Sequence, residues 1–175
     1  MDIRSLNKIL KKEAIEHGLC AKWQRDWKEG CDRNGLIAKY KEGIDFCIAN
    51  EYPANDFIKK NFTREMLREN NVLVDDEYSM LNARVCVLQG ASKSNLRYNG
   101  WNAGTLYVRH TSKAIITARQ MSFVIVHLFN DAKVECQTYD KASIVVLVHS
   151  KTAKVTNCIG NVKIKDELDY LSSFH

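Results

Sequence analysis

One proline, Pro53, and eight glycines in 175 residues leave no room for a long Pro- or Gly-rich linker. No apolar run approaches the roughly 18 residues that cross a bilayer. The start, Met1-Asp2-Ile3-Arg4-Ser5, leads into an amphipathic segment and not into the apolar stretch of a signal peptide. The expectation is a cytoplasmic chain without a membrane partner. The six cysteines (Cys20, Cys31, Cys47, Cys86, Cys136, Cys158) contain no C-x-x-C pair, so reduced, mostly buried thiols are expected in place of disulfides or a metal site. A G-x-S-x-G elbow is missing. So are the phosphate-loop and dinucleotide patterns, since Gly90, Gly100 and Gly104 fit neither. No cofactor is expected, and no motif names a reaction.

What the chain does have is a repeat. From Val85 to Ile164 a unit of the form small–x–apolar–x–apolar returns about every ten residues. Examples are Ala83-Arg84-Val85-Cys86-Val87, Ala114-Ile115-Ile116-Thr117-Ala118 and Ser122-Phe123-Val124-Ile125-Val126. It continues as Ala132-Lys133-Val134-Glu135-Cys136, Ala142-Ser143-Ile144-Val145-Val146 and Ala153-Lys154-Val155, with weaker copies around Leu96, Leu106 and Ile164. A short fixed period signals stacked strands burying one continuous core. Hairpins would need Asn-Gly or Asp-Gly turns, which the strong repeats lack. Two units then make one coil of a parallel solenoid, with the small residue before each strand at a tight corner.

Residues 5–70 read as helices. Leu6, Ile9, Leu10 and Ala14 form a stripe, with Ser5 as N-cap and Gly18 as stop. Trp23 and Trp27 mark a short second helix. Leu36, Ile37, Tyr40, Ile44 and Cys47 mark a third, interrupted at Gly43 and ended before Pro53. Phe57, Ile58 and Phe62 follow an N-cap at Asn55, and Thr63 caps a last turn. At Val72-Leu73-Val74 the period changes from about 3.6 to 2. The fold expected is α+β: a helical cap over 1–71, a short parallel β-solenoid over 72–165, and a tail over 166–175. Leu168 and Leu171 are spaced for a small helix over the far end.

Net charge is +5, unevenly spread. Residues 84–163 hold eleven Lys/Arg against three Asp/Glu, between the acidic runs Asp75-Asp76-Glu77 and Asp166-Glu167-x-Asp169. A basic body suggests an anionic partner. Lys133 and Lys154 alternate with core positions and so point outward, as does Arg84. Outward residues on successive coils form ladders in which like charges repel unless solvent or an anion relieves them. Lys93, Arg97, Tyr98 and Trp101, in the least repeat-like stretch, combine cations and aromatics suited to phosphates and stacked bases, or to a protein anchor. Arg109, Lys113 and Arg119 complete the candidate binding set. Asp75-Asp76-Glu77 reads as a divalent-ion site or a solvated turn. His127 and His149 read as an acid–base pair or as two imidazoles at strand ends.

The run from Lys113 to Val155 resembles the short small–x–Val–x–Val repeat of bacterial and phage β-solenoid proteins, whose units are of the type Ala-Thr-Val-x-Ala-x-Asp-Asn. This chain departs in its longer, uneven units and in Phe123, Phe129 and Tyr139. Asp45-Phe46-Cys47 followed by Pro53 resembles leaders on such proteins in gut-type bacteria and their mobile elements. The resemblance implies architecture and carries no catalytic motif. Its genre implies a phage or mobile-element accessory, with inhibition of an RNA-guided nuclease (an anti-CRISPR-like role) as its narrowest form. The functional expectation is a non-enzymatic protein that binds RNA or a ribonucleoprotein through a basic solenoid face. The alternatives are a protein-docking or self-assembling solenoid, and a metal-independent RNase using His127 and His149.

Overall fold

The computed structural model describes residues 1–174; His175 lies outside them. The described residues form two compact units, one of residues 71–170 and one of residues 1–70 together with 171–174.

The first unit is helical: α1 Ile3–Glu16, α2 Ala21–Asp26, α3 Arg33–Glu42, α4 Ile44–Ala49, α5 Asn55–Asn61 and α6 Arg64–Glu69. Leu6, Leu10 and Ala14 of α1 are buried, as their spacing requires. The cap of α1 is Asp2 and not Ser5: the Asp2 carboxylate accepts from the Ser5 N–H at 3.0 Å. Ala54 is the N-cap residue of α5, with Asn55 already in its first turn. Thr63 does cap α6, through the Met66 N–H at 3.3 Å. Gly43 separates α3 from α4. Buried Asn7 is matched on every side, accepting from Trp27 Nε1 at 2.6 Å and donating to the Glu29 carbonyl at 3.0 Å.

The second unit is a parallel β-solenoid of about four coils. One sheet, A, stacks β1 Val72–Val74, β3 Val85–Gln89, β5 Ala103–Val108, β7 Phe123–Leu128, β9 Ser143–Val148 and β11 Val162–Asp166 in that order. The other, B, stacks β2 Met80–Leu81, β4 Lys93–Tyr98, β6 Lys113–Ala118, β8 Lys133–Thr138 and β10 Lys154–Ile159. In the central coils each residue pairs with the one 20 places later, as in Leu96↔Ile116, Ile116↔Cys136 and Leu106↔Val126. The inward columns interdigitate as one core that includes Leu96, Leu106, Ile116, Val126, Cys136 and Val146, none of them exposed. Burial pushes the Cys136 thiol up to about 12, so it packs as a small hydrophobe.

Two repeat units sit in a different phase from the one their sequence suggests. Cys86 and Leu88 enter the core and Val85 turns outward, the reverse of a small–x–apolar reading that starts at Ala83. Ala114 is a core position on β6, and the small corner residue of that coil is Ser112. Ser92, Ser122, Ala132 and Ala142 do occupy corners with almost no exposure. The Ser92 and Ser122 hydroxyls donate to the carbonyls three residues back, at 2.7 and 2.8 Å.

The corners carry a second ladder. The residue opening each turn lies in the left-handed region: Gly90, Gly100, His110 (φ 59°), Gln120 (φ 62°), Asn130 (φ 54°) and Asp140 (φ 58°). The side chains of His110, Gln120, Asn130 and Asp140 each accept from a backbone N–H one coil away. His110 Nδ1 takes the Gly90 N–H at 2.9 Å, and Asn130 Oδ1 takes the His110 N–H at 3.0 Å. Ser150 Oγ continues this column, taking the Asn130 N–H at 2.8 Å. In the opposite corner Asp140 takes the Gln120 N–H at 3.0 Å. These bonds supply partners for turn amides that the strand ladders leave unpaired.

Beyond β11 a 3₁₀ turn runs over Tyr170–Phe174, and Ile164 is 51 % and Leu168 45 % exposed.

Candidate nucleic-acid interface

The register of sheet B decides where its outward side chains fall. Lys93 pairs with Lys113, Lys113 with Lys133, and Lys133 with Lys154. Four lysines therefore occupy the first position of four successive strands, all of them exposed. With strands about 4.8 Å apart, the column is about 14 Å long. Glu77, bridged to Lys93, ends the column on one side, with its carboxylate 3.9 Å from Lys93 Nζ.

The next outward column reads Asn95, Ile115, Glu135, Asn157, and the third Arg97, Thr117, Gln137, Ile159. An open groove of about 810 Å³ runs over Lys93, Lys113 and Lys133, lined also by Glu77, Asn95, Ile115 and Glu135. Arg97 lies four residues along β4 from Lys93, about 13 Å away along the strand. Arg119, at the end of the next coil's strand, lies over the Tyr139 ring at 4.5 Å. The face thus has a lysine margin, a mixed middle, and a far margin whose cations are Arg97 and Arg119.

The candidate residues separate accordingly. Lys93, Lys113, Lys133, Lys154 and Arg97 share the face of sheet B, and Arg119 stands at its rim. Trp101 is 84 % exposed at the same corner as Arg119, one coil earlier. Tyr98 and Arg109 are not available on the surface. Tyr98 has no exposed area, its hydroxyl donates to the Ala83 carbonyl at 2.8 Å, and burial raises its pKa far above the usual tyrosine range. It is an inward residue of β4, and Gly104 opposite has no room for a Cβ, which would meet the Tyr98 hydroxyl at 2.7 Å. Arg109 is 2 % exposed, on the corner column of Gln89 and His149.

His127 and His149 do meet. His127 Nδ1 lies 3.0 Å from His149 Nε2, and His149 Nδ1 lies 2.9 Å from the Glu167 carbonyl. A carbonyl only accepts, so His149 Nδ1–H donates to it; with neutral rings, His149 Nε2 then accepts from His127 Nδ1–H. The pair is 9 % and 6 % exposed and sits in an aromatic stack, with Tyr107 on one side of His127 and Phe129 and Tyr170 around His149. At that exposure the two rings offer a phosphodiester almost no surface. Asp75 and Asp76 are likewise engaged by backbone, through the Ala91 and Glu77 N–H groups at 2.8 and 2.9 Å.

The fold and this face together define a two-sheet parallel β-solenoid with an in-register cationic column. Comparison with known protein families, curated proteins and solved structures returned no match. The functional reading therefore rests on the geometry of this face.

Proposed function

We propose that the chain is a non-enzymatic binding protein whose basic sheet face takes the phosphate backbone of RNA, free or within a ribonucleoprotein. The observation that carries this reading is the register of Lys93, Lys113, Lys133 and Lys154. Like charges placed opposite one another on a sheet oppose its folding, and a polyanion laid along the column turns that repulsion into attraction. A column of four cations about 14 Å long suits a linear ligand better than a compact one. Arg97 and Arg119 add cations beyond the column, and Trp101 offers a stacking surface at the corner. Glu77 sets a boundary at one end.

The test is binding to a fluorescent structured RNA across a salt series, with matched DNA as control. Salt-sensitive binding with RNA preferred is expected. The double substitution Lys113→Gln/Lys133→Gln should weaken it at least about tenfold and lower the salt slope by about 0.7 per lysine on a single strand. Absence of binding at low salt overturns the reading. Inhibition of an RNA-guided nuclease is the narrower form, suggested by the resemblance of the repeat, and is tested by adding the protein to such a nuclease and following cleavage.

A further inference from the structure

We propose that the C-terminal end of the solenoid is a self-association surface, on which a second copy of this chain docks to give a closed two-fold dimer. The inference does not rest on RNA binding. β10 and β11 are the last strands of their sheets. Ile144 N–H donates to the Asn161 carbonyl and Glu167 N–H to the Val148 carbonyl. In a parallel ladder this alternation turns the N–H and C=O of Ile164 away from β9, toward the free edge.

The side chains tell the same story. Cys158 continues the column of Cys136, and Ile164 continues that of Val146. Cys136 and Val146 have no exposed area, whereas Cys158 is exposed and Ile164 is 51 % exposed. Core-type residues on inward columns are thus left uncovered between two terminal sheet edges, an arrangement that natural β-proteins cover or block.

The geometry also selects the occupant. The edges belong to two sheets about 10 Å apart. A single extended peptide satisfies one edge and leaves the other open. The same end of a second copy presents two edges at the matching separation and satisfies both. Using the same end on both copies makes the interface isologous, and a two-fold contact of this kind closes at two copies. Lys163 and Lys165 disfavour β11 against its own copy, so each β11 lies along the partner's β10, which carries Lys154 alone. Strands of this length give an end face of roughly 400 Å² per copy, about half that of a standard interface, so the dimer is a weak one.

Sedimentation velocity of the full chain over a concentration series tests this. The expected result is a monomer–dimer equilibrium without larger species. Ile164→Pro removes an N–H that serves no internal bond, a change edge strands tolerate, and Ile164→Lys places a charge between the copies. Each should raise the dimer Kd at least about tenfold while circular dichroism keeps the β-signature. If the proline variant fails to fold, the lysine variant decides. A monomer at every concentration, an open-ended series of oligomers, or a dimer indifferent to the substitutions overturns the proposal.

Discussion

A lysine at an exposed strand position is ordinary; four in register are not, because each adds repulsion to its neighbours. Two unit charges about 5 Å apart in water repel by about 1 kcal/mol before screening, and salt removes most of that. Lys113 has a lysine on either side, Lys93 and Lys133. Lys113→Gln is therefore expected to stabilise the free protein by about 0.2–1 kcal/mol at low salt, with the gain fading as salt rises. Urea unfolding at two ionic strengths reads this directly. A loss of stability at low salt would mean that the column is already neutralised within the fold. The same substitution weakens RNA binding, so stability and affinity move in opposite directions, as expected where a residue is kept for a ligand. Tyr98 is the contrasting case. Its type suggests base stacking, but its place in β4 makes it core, and only the pairing with Gly104 across the coil shows why.

At the level of the strand and its turn, much was legible beforehand. The ten-residue period, the pairing of two units into one coil, the break at Gly43 and the change of pattern at Val72 are all present in the structure. The inward face was harder to read where both faces are apolar. In Ala114-Ile115-Ile116 a period of 2 fits either face, and only the corner at Ser112 fixes the phase. The lysine column was half visible: Lys93, Lys113 and Lys133 are 20 apart, one full coil, whereas Lys154 falls 21 on because the turn before β10 (149–153) is one residue longer than the turn before β8 (129–132). The corner ladder was missed, although Gly, His, Gln, Asn and Asp recur at ten-residue steps from Gly90 to Asp140. Left-handed backbone is tolerated by Gly and Asn and resisted by Ala. Asn130→Ala should therefore cost about 1–3 kcal/mol, through strain and the orphaned His110 N–H. Asn130→Gly, which keeps the backbone but loses the bond, should cost less. Thermal denaturation of the pair separates the two contributions, and equal costs would refute the role assigned to the left-handed turn.

Over the whole molecule, a solenoid is nearly one-dimensional: each coil is stabilised by the coil on either side of it. The strands β6, β7 and β8 have a neighbour on both edges, and their inward residues are almost completely covered. β10 and β11 have a neighbour on one edge only, and in the final coil Val155 and Val162 are only partly buried while Cys158 is exposed. Local opening should therefore begin there and become rarer toward the centre. Hydrogen exchange at low protein concentration is expected to be fastest in β10 and β11, intermediate in β8 and β9, and slowest in β6 and β7. Raising the concentration should slow exchange in β10 and β11 alone, because a second copy covers those edges and no others. Equal protection from β6 to β11 in the dilute protein would show that the coils open as one cooperative block. The exposed end would then be stabilised by something other than stacking, and self-association would lose the unpaired edge on which it depends.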